Sequence, residues 1–235
     1  MLIIYRKVVN SAFSGHNAAM RVTQTDRDAP FSLREHNRQE RRARIREAAR
    51  EVFCQRGYVN ATTREIAARA RVANGTLFRY AADKRELLFM VINDDLDALA
   101  LEGARRPASG GGDLRSKIIQ FYRPRYEYFA RYPLLSRPFV NESFNFMEVP
   151  ESEVGRELRR NRARRTEVIA ALTRLLAQGG KRKREGSARL AAQLVHAIYL
   201  SACREWLESP SPDPKEGLKR FGALLSLAAS GFDRA

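Results

Sequence analysis

The sequence predicts an all-α protein, and three of its features lead to this expectation. Apolar residues recur three and four positions apart over long segments, which is the period of an amphipathic helix. Residues that favour helix starts precede several of these segments, namely Thr62, Asp83 and Asp213. No segment alternates apolar and polar residues as a half-buried strand would. We therefore expect a small helical domain followed by a larger one.

Length and composition bound the class of protein. The chain has 235 residues, enough for two helical domains with separate cores. Its net charge of +16 and its isoelectric point of about 10.6 favour a polyanionic partner, although an arginine-rich genome would give the same excess. Cys54 and Cys203 are too few for a disulfide framework and lie among apolar residues, so we expect buried, reduced thiols.

Targeting signals are not evident. No apolar run approaches the length of a membrane span. The apolar stretch at residues 1–5 is interrupted by Arg6 and Lys7, so it lacks the continuous core of a secretory signal. We expect a cytoplasmic protein with no membrane partner.

Residues 1–36 show no sustained period, and we expect a disordered N-terminal arm there. A basic arm that follows a polyanion, or a true start at Met20, are the alternatives. The first helix should run from Asn37 to Arg56 and end at Gly57. Its apolar face is formed by Ile45, Ala48, Ala49, Val52 and Phe53. Its start and outer side carry arginines that either face solvent or contact phosphates, namely Arg38, Arg41, Arg42, Arg44, Arg46 and Arg50.

Two short helices should follow, joined by a tight turn between Thr62 and Ala81. Thr62 and Glu65 form a capping box, so the first of them should start at Thr63. Its small apolar face, Ile66, Ala67 and Ala70, allows a second helix to cross closely. That second helix, from Asn74 to about Tyr80, should bury Leu77, as Val72 should be buried in the turn. Thr76, Arg79 and Tyr80 are left for a partner, and such side chains suit the major groove of DNA.

These residues resemble the DNA-binding domain of the TetR/AcrR family of transcriptional regulators. The resemblance covers residues 45–88, with residues 72–80 and 83–88 as its most specific part. Three positions depart from the family pattern: Arg71 replaces the usual turn glycine, Phe78 a tyrosine and Ala81 an aromatic residue. An arginine at the turn must accept or avoid a positive φ, at a cost of about 1 kcal/mol.

The resemblance implies which residues contact DNA. They are Thr62, Thr63, Arg64, Ala73, Asn74, Gly75, Thr76, Phe78, Arg79, Tyr80 and Lys84. Lys84 would touch the backbone from the first turn of the fourth helix, where the helix dipole also attracts phosphate. The resemblance also implies that the first helix braces the recognition helix.

The fourth helix should open at Asp83, with Glu86 as the capping partner, and run to about Arg105. Its apolar stripe continues beyond the DNA-binding domain, which makes it a mechanical link between the two domains. We place the helix-turn-helix domain at residues 37–84 and a helical effector-binding and dimerisation domain at residues 85–235.

Only helices are expected after the break at residues 107–112. They should span residues 113–131 with a kink near Pro124, residues 133–147 with an interruption at Pro138, and residues 151–178, 187–208 and 213–232.

Aromatic residues concentrate between positions 121 and 146. They form either ordinary core or a pocket for a small apolar or amphipathic effector. The predicted ligand-binding residues are Phe121, Tyr122, Tyr126, Phe144, Tyr199 and Trp206. Asn141, Glu142 and Arg204 could add polarity.

The last two helices carry apolar stripes, which internal packing or a partner could explain. The resemblance implies that these helices pair with their copies in a homodimer. Its interface would include Leu190, Leu194, Ile198, Phe221, Leu224 and Leu225. A two-fold dimer also suits DNA recognition, because one short helix reads too few bases to be selective.

The remaining clusters of basic residues and the histidines do not indicate a catalytic or metal site. The arginines of residues 156–165 could bind anions, but a solvated helix face is the simpler interpretation. Residues 181–184 form a basic solvent loop. His16, His36 and His196 show no metal spacing, and we expect neither a cofactor nor an enzyme.

We therefore expect a DNA-binding regulator, a repressor that a small apolar or amphipathic effector releases from a palindromic operator of double-stranded DNA. Charge-driven, non-specific nucleic-acid binding is the alternative. A small-molecule-binding protein with a vestigial DNA domain is another, which the departures at Arg71 and Phe78 would favour.

Overall fold

The computed structural model describes residues 33–105, 112–145, 155–178 and 185–230, and every regular element within them is helical. The all-α prediction is confirmed. The helices are α1 Leu33–Asn60, α2 Thr63–Arg69, α3 Asn74–Phe78, α4 Lys84–Arg105, α5 Leu114–Arg131, α6 Pro133–Asn145, α7 Arg156–Gln178, α8 Glu185–Trp206 and α9 Pro214–Ser230. None of these helices combines the length and apolarity needed to cross a membrane.

Helices α1 to α3 form the first layer. Ile45, Val52 and Phe53 of α1 are fully buried and share one core with Ile66 of α2 and Leu77 of α3. Gly57 interrupts the helical geometry of α1 with a φ of 72°, where the sequence predicts its end. A glycine adopts this left-handed conformation without the steric cost that a Cβ would add.

Helix α4 joins this layer to the rest of the molecule. Every residue from Leu87 to Ile92 is fully buried, so the helix is covered on all sides along this stretch. It packs on α1 to one side and on α6 and α7 to the other. Helix α1 also packs directly on α6, so the two predicted domains share an extensive contact surface.

Helices α5, α8 and α9 surround the aromatic part of the hydrophobic core. Tyr122 stacks on Tyr199 with ring centroids 4.0 Å apart, and Phe221 meets Tyr122 edge-on at 5.3 Å. Gly217 lets α9 approach closely, because a Cβ there would lie 2.7 Å from the Tyr126 ring. Such close packing of aromatic rings stabilises the fold by more than the apolar area that the rings bury.

Several boundaries differ from the sequence-based expectation. Helix α1 begins at Leu33, within the predicted arm, whose remaining residues 1–32 lie outside the described part. Helix α3 ends at Phe78 instead of Tyr80. Pro138 lies inside a continuous α6, where it was predicted to interrupt the chain, and α5 also continues through Pro124. Both helices are held by buried side chains on either side of the proline, so tertiary packing outweighs the lost backbone hydrogen bond. The predicted basic loop at residues 181–184 and the residues beyond 230 lie outside the described part.

Candidate nucleic-acid interface and effector cavity

The helix-turn-helix is closed by local hydrogen bonds. Thr62 caps α2 with its hydroxyl oxygen, which accepts the backbone N–H of Glu65 at 3.2 Å. The predicted reciprocal bond is replaced by an ion pair, since the Glu65 carboxylate lies 3.4 Å from Arg56 Nε. Arg71 accepts a φ of 54° in the turn, where its N–H donates to the Ala68 carbonyl at 3.1 Å. The left-handed turn is therefore made without the glycine that such turns favour.

Helix α3 presents most of its surface to solvent. Leu77 is fully buried and anchors it, and Val72 is half-buried in the turn. The exposed predicted contacts are Thr62, Arg64, Ala73, Asn74, Gly75, Phe78 and Arg79, while Thr63, Thr76, Tyr80 and Lys84 are half-buried. Phe78 is 44% exposed, which is unusual for a phenylalanine and suits contact with a thymine methyl group.

Lys84 also has a bracing contact that the sequence did not predict. Its ammonium donates to the carbonyls of Val59 and Ala61 at 3.0 and 3.1 Å and lies 4.9 Å from the centre of the Tyr58 ring. These carbonyls close the end of α1, so the lysine ties the start of α4 to it. Contact of the same ammonium with a phosphate stays a prediction.

Glu86 does not act as the predicted capping partner within α4. Asp83 accepts the Glu86 N–H at 2.8 Å, but the Glu86 carboxylate turns to α7. There it accepts the backbone N–H groups of Glu157 and Leu158, each at 3.0 Å. A charge-assisted bond of this kind stabilises the positive end of a helix. Glu86 is 4% exposed, so α4 holds the start of α7 through a buried contact.

The arginines of α1 divide into two sets. Arg42 donates to Asp94 at 2.7 and 3.1 Å and to Glu157 at 3.1 Å, and Arg50 donates to Asp95 at 2.7 Å. Both link α1 to α4, where they stabilise the contact between helices. Arg34, Arg38 and Arg41 lie nearer the start of α1 and do not join this network.

Helix α7 adds its own arginines to α4, and the predicted solvated face is wrong for two of them. Arg160 donates to Asp94 at 2.5 Å and also pairs with Asp97. Arg164 donates to the Asn93 carbonyl at 2.9 Å and pairs with Asp97. Burial alone would raise the pKa of Asp94, but the hydrogen bonds from Arg42 and Arg160 outweigh it and lower the pKa.

A cavity of about 100 Å³ opens beside this network, among α4, α5, α6, α7 and α8. Its apolar wall comprises Leu96, Phe129, Phe139, Val140, Val168 and Leu200. Its polar side comprises Arg125, Ser143, Asn161, Arg162, Arg164, Arg165, His196 and Tyr199. Among the described residues, four arginines and no carboxylate line it, so it is suited to a molecule with an apolar body and a negative group.

His196 is the titratable histidine of this cavity. It is 8% exposed, and its Nδ1 lies 2.9 Å from the hydroxyl oxygen of Tyr122. Burial, aided by the charges of Arg165 and Arg125, lowers its pKa to about 3. The imidazole is therefore neutral at physiological pH, and the positive charge of the cavity comes from the arginines.

The predicted ligand-binding residues do not form one site in the structure. Tyr199 lines the cavity, whereas Tyr122, Tyr126 and Trp206 lie in the aromatic core beside it. Phe121 lies under Arg125, and Phe144 lies under Arg204, with neither ring lining the cavity. Core packing, the alternative interpretation, explains most of the aromatic cluster. The arginines of α7 were the missed signal, because three of them recur within residues 162–165 and face this cavity.

The predicted interface residues divide into exposed, half-buried and buried ones. Leu190 and Leu194 are 68% and 53% exposed on α8, and Ile198 and Leu224 are half-buried. Phe221 and Leu225 are buried within the protomer, at 0% and 7%, so they belong to its own core. Leu190 and Leu194, four positions apart on α8, therefore leave an apolar strip exposed.

Cys54 and Cys203 are both free thiols. Cys203 is buried and its pKa is raised by burial to about 12, and Cys54 is a half-buried free thiol. Within the described residues, no group of His, Cys, Asp and Glu side chains is placed to hold a metal ion.

The helix-turn-helix region is similar to that of known proteins. The family model described as bacterial regulatory proteins, tetR family, matches residues 45–91. The HTH-type transcriptional regulator HbdR of Aromatoleum sp. (strain CIB) is 35% identical over 68 residues, which cover 29% of this chain and only 30% of the relative.

Solved structures extend the likeness over the remaining helices. Thermus thermophilus FadR, a TetR family transcriptional repressor solved with lauroyl-CoA, is 27% identical with a TM-score of 0.59, covering 79% of this chain and 93% of that one. FadR of Bacillus subtilis, solved with stearoyl-CoA, has the same fold at 19% identity and a TM-score of 0.56, covering 81% and 98% of the two chains. The family model therefore identifies residues 45–91 as a helix-turn-helix of the tetR family type, and the helices that follow share the fold of solved TetR-family regulators.

Proposed function

We propose that the chain is a homodimeric transcriptional repressor that binds a two-fold symmetric operator and is released from it by an anionic amphipathic effector. The observation that carries the proposal is a shared side chain. Arg164 lines the cavity and also holds α4, the helix that begins directly after the recognition motif.

The DNA-binding part of the proposal is supported by α3. Asn74, Gly75 and Phe78 are exposed on a helix whose single buried anchor is Leu77. Polar and apolar groups together can read base edges in a major groove, including the thymine methyl group. The net charge of +16 would attract the duplex from a distance.

The effector part is supported by the chemistry of the cavity and of two similar proteins. The FadR proteins of Thermus thermophilus and Bacillus subtilis were solved with acyl-CoA molecules, which join an apolar chain to anionic groups. The cavity of this chain offers the same combination of apolar wall and arginines. Its volume of about 100 Å³ is smaller than the 300 Å³ or more of typical ligand sites, so a long acyl chain would have to displace the surrounding helices.

That displacement supplies the mechanism. An anionic group beside Arg164 competes with Asp97 and the Asn93 carbonyl for the guanidinium. Weakening these bonds loosens α7 from α4, and α4 carries the recognition motif with it. A two-fold operator fixes the spacing of two recognition helices, so a small shift of α4 costs base contacts.

The homodimer is supported by the exposed apolar strip on α8. Leu190 and Leu194 are separated by one helical turn and both are largely exposed. Exposed apolar strips of this kind mark association surfaces. A protein that acts on the bacterial chromosome would work in the cytoplasm.

Selection of bound duplexes from a random DNA pool tests the proposal. We expect enrichment of a palindromic sequence that stays bound at near-physiological salt, and its release by an acyl-CoA. Thr76→Ala should lose the preference for that sequence with little loss of stability. Enrichment of no sequence, or equal selectivity of the Thr76 variant, would refute the assignment of the recognition helix.

Non-specific, charge-driven binding is the competing function, and the charge of +16 favours it. Affinity of that origin falls steeply with salt and is the same for heterologous DNA. Competition by bulk DNA at rising salt therefore separates the two functions.

A further inference from the structure

A second cavity lies at the start of α1, away from the effector cavity. It is a cleft of about 440 Å³ lined by Arg34, Asn37, Arg38, Arg41, Arg79, Tyr80 and Arg156. Five of these seven residues are arginines and none is acidic. The residues come from three separate places in the sequence, so the fold brings this charge together.

Most of this charge is not neutralised within the described part of the chain. Arg38 is bound by Glu35 through two hydrogen bonds of 2.9 and 2.8 Å. Arg34, Arg41 and Arg79 have no ion pair there, in contrast to Arg42 and Arg50 on the inner side of the same helix. Like charges left together destabilise a surface unless an anion joins them.

The cleft is continuous with the recognition motif. Arg79 caps the C-terminal end of α3, and Tyr80 follows it directly. An anion held in the cleft therefore lies next to the helix that faces the DNA bases. A sugar–phosphate backbone is the polyanion that lies beside a reading helix in a major groove.

One arginine of the cleft belongs to the effector-binding half of the chain. Arg156 is the first residue of α7, and it donates to the Tyr80 carbonyl at 3.0 Å. Its Nε also lies 3.6 Å from the Glu157 carboxylate, but the guanidinium has five N–H groups and the side chain is 48% exposed, so it still has N–H groups for an anion. Helix α7 thus has its first residue at the recognition motif and Arg162, Arg164 and Arg165 at the effector cavity.

We propose that this cleft is a phosphate-binding site for the DNA backbone, and that Arg156 makes the effector-binding half of the chain a direct part of the DNA interface. The proposal deepens the DNA-binding function given above and rests on it. Under this proposal the first residue of α7 contacts the duplex, and residues 162–165 of the same helix contact the effector.

Salt-dependent binding to a random-sequence duplex tests this site, because backbone contacts do not depend on sequence. Each phosphate contact adds about 0.9 to the slope of log affinity against log salt. The double variant Arg41→Gln with Arg156→Gln should therefore lower the magnitude of the slope by about 1.8 and weaken binding to every duplex alike. Arg156→Lys, which keeps the charge, should retain most of its share of the slope.

Arg174→Gln is the matched control. This exposed arginine lies on α7 outside both cavities, so its replacement removes one positive charge, as each substitution of the double variant does, and should leave the slope unchanged. The same slope for the wild type and the double variant would overturn the proposal, even if a preferred sequence is selected. Uptake of inorganic phosphate by the cleft without any effect of the variants on duplex binding would overturn it as well. Loss of sequence preference alone, with the slope difference intact, would refute only the specific operator.

Discussion

Arg71 holds a left-handed backbone conformation with a φ of 54° in the turn between α2 and α3. The Cβ of any residue other than glycine clashes with the backbone in this region, at a cost of about 1 kcal/mol. The sequence already poses this choice, because an arginine stands where the family usually has glycine. The structure shows that the chain accepts the strain and keeps the turn.

Arg71→Gly should therefore raise the free energy of unfolding by up to about 1 kcal/mol. The same substitution at Arg64, an exposed residue inside α2, should lower it by about 1 kcal/mol, because glycine disfavours a helix. Urea denaturation of the two variants measures both changes. A loss of stability in both would show that the turn of Arg71 is not strained.

His196 makes stability depend on pH. Its pKa is about 3 in the folded chain, against an ordinary value of 6.5, because burial and the charges of Arg165 and Arg125 disfavour protonation. Below pH 6.5 the unfolded chain binds a proton at this site that the folded chain does not. The contribution of His196 to the free energy of unfolding is therefore fully present above pH 6.5. It falls by about 1.4 kcal/mol per pH unit as the pH drops towards 3.

The variant His196→Gln removes this dependence. The difference in unfolding free energy between wild type and variant should change by about 1.4 kcal/mol per pH unit between pH 6 and pH 5. Asn37→Gln, at an exposed position of α1, changes no titratable side chain and is the control, so it should show no such trend. Parallel curves for the wild type and the His196 variant would mean that the histidine is accessible to protons in the folded chain.

Residue-scale prediction succeeded where the partner is local. The Thr62 cap and the burial of Leu77 both follow from neighbours within a few positions, whereas the sequence left open whether Arg71 accepts the left-handed conformation that it has. It failed where the partner is distant in sequence. Glu86 binds α7, 71 positions away, and nothing in its local context indicates that.

At the scale of elements, Glu86 and Gly155 determine how α7 begins. The Glu86 carboxylate binds the first free N–H groups of the helix, and it approaches only because residue 155 has no side chain. A Cβ at position 155 would lie 2.5 and 2.7 Å from the two carboxylate oxygens. Both oxygens would have to move, and the buried charge would lose its partners.

Gly155→Ala should thus destabilise the protein by about 1.5–3 kcal/mol, the range for hydrogen bonds to charged groups. Gly186→Ala is the matched control, since nothing lies within 4 Å of a Cβ there and alanine favours the helix. Thermal unfolding of the two variants should move in opposite directions. An unchanged midpoint for Gly155→Ala would show that the Glu86 contact does not stabilise α7.

The exposed strip on α8 makes a prediction about assembly. Replacement of Leu190 and Leu194 by glutamate puts two charges into a surface that is apolar in the free protomer. If this surface is the dimer interface, the variant should sediment as a folded monomer and lose its preference for a palindrome. Leu33→Glu, at a leucine of α1 that is 74% exposed, should leave assembly unchanged. A dimeric Leu190 and Leu194 variant would place the interface elsewhere.

Element boundaries could be predicted to within a few residues, because caps and periodicity are local signals. The sequence did not show against which neighbour each apolar stripe packs. Phe221 and Leu225 belong to the same apolar stripe as Leu224, but only the fold shows that they are buried inside the protomer. Pro138 was predicted to interrupt a helix that tertiary packing continues.

At the scale of the whole molecule, α7 joins three parts of the chain. Its arginines reach the cleft beside α3, the carboxylates of α4 and the effector cavity. The sequence predicted α4 as the link between domains, and α4 is central to the packing. The role of α7 was missed because an arginine-rich helix has the composition of a solvated face, and its carboxylate partners lie more than 60 positions away.

Coupling between effector and DNA should then depend on Arg164. This guanidinium is 10% exposed and binds both Asn93 and Asp97 of α4, while also lining the cavity. Arg164→Gln removes a positive charge that would attract an anionic effector. It also removes hydrogen bonds that join α7 to α4. We expect the variant to bind the selected duplex but to respond to an acyl-CoA at least tenfold less well, which corresponds to about 1.4 kcal/mol of coupling.

Because coupling is reciprocal, the same variant should also bind the acyl-CoA with an affinity that DNA no longer changes. Titration of the acyl-CoA with and without duplex measures this directly, and Arg174→Gln on the same helix should behave as the wild type. Weaker acyl-CoA binding with intact coupling would mean that Arg164 only attracts the ligand. Full coupling with unchanged affinity would remove Arg164 from the mechanism, and the displaced helices around the cavity would then have to move α4 through apolar contacts with Leu96.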